Sequence, residues 1–273
     1  MANFPTHILV GTVVSGSLAT LTLAADVIAP ENLVAVTLAG ALGSVLPDID
    51  LKDSRPSRAL FAGLAVFFSF VLLFQFASRL SIAEMWALWL GTLLFVRFGL
   101  HSVFHKHTTH RGVWHSIVAG LACAVATVLM FYYVFGRHDG VAWLAGGFLL
   151  IGYITHLLLD EIYSVDVLGN HIKKSFGTAL KLFDTRNKTA SAAMAAAIVL
   201  MLMVTPTIST FYDGITSRSM WTELRDRLLP KDRWYASIFE PEHFAASPSA
   251  ASAPQATGSL PAAAPGEETQ PAQ

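Results

Sequence analysis

The stretch His105–His115, H-K-H-T-T-H-R-G-V-W-H, holds four of the chain's ten histidines in eleven residues. Apolar runs flank it on both sides, at 85–104 and 116–135. An α-helix needs about 20 mostly apolar residues to cross the hydrocarbon core of a bilayer. A histidine-rich loop between two such runs therefore lies at a membrane surface. It sets the fold class as an all-α polytopic membrane protein with a polar site at one face.

Five further apolar runs lie outside this pair, at 8–26, 32–47, 59–78, 141–159 and 191–209. They predict about six or seven transmembrane helices. The run at 32–47 is short, rich in small residues and ends at Pro47, so it reads either as a span or as a re-entrant hairpin. The composition agrees with a membrane class. The chain is 53% hydrophobic and 14% charged, where a soluble domain carries about 25% charged residues. Its net charge of −1 gives no reason to expect a nucleic-acid partner. Cys123 is the single cysteine, which excludes an intrachain disulfide. The opening residues, M-A-N-F-P-T-H, hold no Lys or Arg, so the first run reads as a span and not as a cleaved leader. The domain plan is a transmembrane unit at 1–209, an amphipathic, interfacial segment at 210–244, and a disordered Ala- and Pro-rich tail at 245–273.

Charge sets the orientation. Counting crossings from the N-terminus puts 48–58, 105–115 and 160–190 on the same side as residue 1. That side carries Lys52, Arg55, Arg58, Lys106, Arg111, Lys173, Lys174, Lys181, Arg186 and Lys188. The short loops on the other side carry Arg79 and Arg137. The excess of Lys and Arg places the first side in the cytoplasm. An even number of runs separates His7, the Asp48 and Asp50 pair, the histidine loop, and the His156 and Asp160 pair. All of these therefore reach one cytoplasmic face.

Each polar group has a chemical reading and a plain one. In P47-D-I-D50, two carboxylates end an apolar run; they are either metal ligands or a solvated turn. In H110-R-G-V-W-H115, two histidines flank a glycine that permits close backbone approach. They are either ligands or headgroup-binding interfacial side chains. Arg111 between them is suited to steadying an anionic group. In H156-L-L-L-D160, His156 and Asp160 stand four apart on a helix and project on one face. Ionisable groups inside a span are costly and mark functional sites, although such a pair also locks helices together. Glu161 follows as a candidate base. Imidazole with carboxylate suits zinc, with manganese or iron as alternatives. Seven such groups are enough for one or two divalent ions.

The ordered set of His7, L46-P-D-I-D50, H110-R-G-V-W-H115-S and H156-L-L-L-D160 resembles the membrane-bound metal-dependent hydrolase family. That family includes the YdjM-like, LexA-regulated inner-membrane hydrolases of bacteria. The resemblance covers about residues 1–170. It implies a multi-pass protein of the bacterial inner membrane. It also implies a metal site on His7, Asp48, Asp50, His110, His115, His156 and Asp160, and a lipid-like or phosphoester substrate. After Asp160 the chain departs from the family pattern with E-I-Y-S-V-D-V-L-G-N-H-I-K-K. Two other classes fit the same composition: an ion or metal transporter, which needs polar groups threaded to the far side, and a membrane scaffold using its basic loop to hold anionic lipid.

Overall fold

The computed structural model describes residues 3–50, 54–108, 112–166, 171–172 and 180–229. Contacts divide the chain into two units, Met1–Leu228 and Leu229–Gln273. Of the second, only Leu229 is described, so the tail at 245–273 and residues 230–244 of the interfacial segment lie outside the described residues.

The first unit is a bundle of helices. These are α1 Phe4–Ala24, α2 Pro30–Gly43, α3 Arg55–Phe76, α4 Ile82–Leu94, α5 His101–His107, α6 Ile117–Leu129, α7 Asp139–Ile162, α8 Lys188–Leu202, α9 Ser209–Thr216 and α10 Arg218–Arg227. A π-helical turn at Phe95–Leu100 joins α4 to α5, and another at Met130–Val134 extends α6. Two two-residue strands, Val165–Asp166 and His171–Ile172, pair antiparallel.

Helix starts follow the sequence. The Asn3 side chain caps α1 by accepting from the Thr6 N–H, with Pro5 in the first turn. Ser54 caps α3 and Ser116 caps α6 in the same way. Ser81 and Glu84 form a reciprocal capping box at α4. Each cap satisfies backbone N–H groups that a helix start leaves open.

Among the described residues, five segments are long and apolar enough to cross a membrane: Phe4–Ala24, Arg55–Arg79, Ile82–Lys106, Ile117–Val134 and Asp139–Ile162. This corrects the count of six or seven. The run at 32–47 yields a helix of 14 residues, about 21 Å long, against a hydrocarbon core of ~30 Å. The last run yields 15 residues. Both short helices still lead from one end of the bundle to the other. Helix α2 starts beyond the far end of α1 and finishes at the turn that meets the His7 end. Helix α8 starts near Lys181, whose carbonyl accepts from the Ile117 N–H. The chain after α8 reaches Asp139, where Thr207 and Thr210 donate to its carboxylate.

The core is organised on α7. Helices α1, α2 and α6 all pack on it, and Leu144, Ala145, Phe148, Leu149, Tyr153 and Leu157 are buried. The approach of α2 to α7 is set by glycine. A Cβ on Gly152 would overlap the Gly40 carbonyl oxygen, and one on Gly43 would overlap the Leu149 carbonyl oxygen. Small residues at a helix interface let backbones approach closely in lipid, where packing replaces the hydrophobic drive. The A39-G-A-L-G43 motif therefore has a packing role, whereas a Cβ on Gly16 would meet open space. Outward faces carry large apolar side chains such as Leu9, Phe74 and Trp86, which suits contact with hydrocarbon.

Residues 210–229 form exposed short helices. Arg227 of α10 donates to the Ala24 carbonyl at 3.2 Å and lies 3.8 Å from the Asp26 carboxylate. This segment therefore sits beside the loop after α1, at the end away from His7.

Candidate metal centre

Four pieces of chain meet at one end of the bundle. The first turns of α1 bring His7. A 3-10 turn at Leu46–Asp50 brings Asp48 and Asp50. The residue before the Ser116 cap brings His115. The last turns of α7 bring His156 and Asp160. His7, His115, His156 and Asp160 are each at most 1% exposed. Burying these groups is costly unless they pair or hold a metal.

The contacts are closely spaced. His7 Nε2 lies 3.3 Å from Asp160 Oδ1, and His115 Nε2 lies 3.8 Å from Asp160 Oδ2. His156 Nε2 lies 3.5 Å from Asp48 Oδ1 and 3.9 Å from Asp160 Oδ2. The His7 and His156 rings stack with centroids 3.7 Å apart. Among the described residues, two groups of three offer one ligand atom each within 4.8 Å of one another: His7, His156 and Asp160, and Asp48, His115 and His156. Ligands at ~2.0–2.1 Å from a tetrahedral zinc are about 3.4 Å apart, close to the shorter of these separations. The donor set fits a divalent transition metal.

The outer partners are also of the type that metal sites use. His156 Nδ1 donates to the Ser44 carbonyl at 2.8 Å, which fixes the tautomer and turns Nε2 towards the carboxylates. His156 Nε2 has no hydrogen-bond partner among the described residues. His115 Nδ1 lies 3.4 Å from Asp50 Oδ2, so Asp50 stands behind His115, on the side away from Asp160. Burial pulls the His115 pKa down, but the Asp160 and Asp50 carboxylates beside its two ring nitrogens, with the charge of Asp48, outweigh burial and raise it from 6.5 to about 9. Burial raises the Asp48 carboxyl above its ordinary value, against the pull of His7 and His115.

Tyr153 and Trp114 fasten the approach to His115; Tyr153 lies outside the sequence motifs, and Trp114 lies within H110-R-G-V-W-H115 as an apolar member of it. The Tyr153 hydroxyl donates to the Trp114 carbonyl. The Trp114 indole N–H donates to the Leu46 carbonyl at 2.8 Å. These bonds tie the His115 loop to α7 and to the aspartate turn. Ser44 acts through its backbone carbonyl, which no side-chain pattern reveals.

The remaining candidates fall elsewhere. His110 and Arg111 lie outside the described residues. Glu161 is half-buried beside Asp160 and belongs to neither ligand group. His105 Nε2 lies 2.9 Å from Ser57 Oγ, and its ring contacts His101 and Phe61. His138 caps α7 at the opposite end and is largely exposed. Arg97 lies over the Phe98 ring.

Fold and site together define a multi-pass helical membrane protein with a buried histidine–aspartate centre at one end of its bundle. The comparison with protein families names the group. The chain belongs to the YdjM inner membrane protein family, whose model matches residues 1–212. It is a multi-pass protein of the inner membrane. No curated protein matches it, and no solved structure does.

Proposed function

We propose that this chain is a metal-dependent hydrolase of the inner membrane, acting at the cytoplasmic face on a lipid-like or phosphoester substrate. One observation carries the reading: three buried histidines and two aspartates converge with nitrogen–oxygen separations of 3.3–3.9 Å. His7, Asp48, His115, His156 and Asp160 hold the metal. Zinc suits this donor set, with manganese or iron as alternatives. His156 is common to both ligand groups, so the set accommodates one ion or a pair that shares it.

A bound divalent metal supplies Lewis acidity and a water acidic enough to act as nucleophile near neutral pH. The chain's own residues prepare the site. Ser44 and Asp50 orient the rings of His156 and His115. Tyr153 and Trp114 hold the loop in register. His110 and Arg111, which precede His115 in the sequence, are assigned as a further ligand and as the group that steadies negative charge. Glu161, next to Asp160, is the base candidate. Among the described residues the histidine–aspartate cluster is confined to one end of the bundle, which supports a site over the polar path an ion transporter needs.

The test is metal content of the detergent-purified protein by mass spectrometry, wild type beside Asp160→Asn and His115→Ala. Near-stoichiometric zinc, manganese or iron that drops in both variants is the expected result. Phosphoester and phospholipid turnover lost with chelator and with Asp160→Asn completes it. A wild type that takes up no metal after reconstitution with each ion rules the hydrolase out. A helix-locking polar cluster is then the better account.

A further inference from the structure

A groove of about 640 Å³ opens between α1, α2 and α3 and continues to Met130 and Phe135. It begins at the metal centre. Ile8 follows His7 in the chain, and Ile49 lies between Asp48 and Asp50; both line the groove. Thr12 is the single polar side chain in its lining, and its hydroxyl is committed to the Ile8 carbonyl at 2.6 Å. Such a groove offers a ligand no hydrogen bonds from side chains, so its occupant is hydrocarbon. Along α3 the lining runs from Pro56 to Phe67, about 17 Å, close to half of a ~30 Å hydrocarbon core. That is the depth of one leaflet. At the centre's end of the groove, Arg55 stands exposed at the first residue of α3, next to the lining residue Pro56 and one turn before the lining residue Ala59. Arg55 pairs with no acid among the described residues. A groove one leaflet deep with an exposed guanidinium at its end is complementary to an anionic phospholipid.

We propose that this groove seats one acyl chain of an anionic membrane phospholipid, with the phosphate at Arg55 and the ester region beside the metal centre. The proposal rests on the hydrolase reading for the chemistry at the headgroup, and it names the substrate class. Guanidinium groups bind phosphate with directional, charge-assisted hydrogen bonds.

The experiment is native mass spectrometry of the full-length protein in detergent, titrated in parallel with phosphatidylglycerol and phosphatidylcholine. The wild type is expected to bind one phosphatidylglycerol and to prefer it over phosphatidylcholine. A Cβ at Gly63 meets open space, so Gly63→Trp projects an indole into the groove. It should weaken phosphatidylglycerol binding about tenfold or more while metal content stays at the wild-type level. Arg55→Gln alters only an exposed side chain and should erase the preference between the two lipids, whereas Arg58→Gln, on the opposite face of α3, should keep it; a preference that survives Arg55→Gln overturns the proposal. Binding that ignores Gly63→Trp, or a wild type indifferent to headgroup charge, overturns the proposal. A metal-free wild type whose lipid binding is still lost in Gly63→Trp removes the hydrolase and leaves the groove assignment. A metal-loaded protein whose lipid binding ignores Gly63→Trp does the reverse.

Discussion

His7 and His156 stack nearly face to face, with centroids 3.7 Å apart and planes 15° from parallel. The stack joins the start of α1 to the end of α7 and points both Nε2 atoms at the Asp160 carboxylate. His156 also faces Asp48 and so belongs to both ligand groups, while His7 belongs to one. His156→Ala should therefore cost more metal affinity than His7→Ala. Competition titration against a chromophoric chelator measures both. Equal losses would mean that the two groups do not share His156.

Asp50 and Asp48 are one residue apart, yet they have different neighbours. Asp48 faces His156, and Asp50 faces the far nitrogen of His115. Carboxylates behind a ligating histidine tune affinity by about 10–100-fold. Asp50→Asn should lower affinity within that range and recover full occupancy at excess metal, whereas Asp48→Asn should not recover. If the two variants behave alike in the same titration, Asp50 is itself a ligand.

The raised pKa of His115 predicts a pH dependence. The ring is protonated in the folded, metal-free protein up to about pH 9, whereas its ordinary value is 6.5. Its stabilising contribution is complete below the ordinary value and is lost as pH rises through about 9. The melting temperature of chelator-treated protein should fall between about pH 7 and about pH 10, and His115→Ala should flatten that fall. Metal must displace the same proton, so metal affinity should rise across the window. A melting profile identical in wild type and His115→Ala would rule this out.

Gly152 lies against the Gly40 carbonyl at the crossing of α2 and α7. Gly152→Ala forces the helices apart and should cost about 1–3 kcal/mol or more. Gly16→Ala, where a Cβ meets open space, should stay within about 0.5 kcal/mol. Thermal unfolding in one detergent compares them. Metal occupancy should also fall in Gly152→Ala, because α2 carries the Ser44 carbonyl that orients His156.

Tyr153→Phe removes the donor to the Trp114 carbonyl. The buried acceptor left behind should cost about 1–3 kcal/mol. Hydrogen exchange should rise at residues 112–116 while the rest of α7 stays protected. Unchanged exchange there would show that Trp114 and its bond to Leu46 hold the loop without Tyr153.

The sequence by itself determined the membrane class, the all-helical fold and the common end shared by His7, Asp48, Asp50, His115, His156 and Asp160. Hydropathy and the count of crossings add up along the chain, so a linear reading recovers them. Tertiary structure decided what depends on helix length, rotation and approach. It shortened the run at 32–47 to 14 residues and so reduced the number of full-length spans. It turned Asp50 towards the back of His115 and Asp48 towards His156. It brought the Ser44 carbonyl to His156 through a glycine crossing. Neighbours one or two residues apart point in different directions once a turn has its geometry, and the partner across a crossing depends on how closely two backbones meet. Neither is a property of local composition.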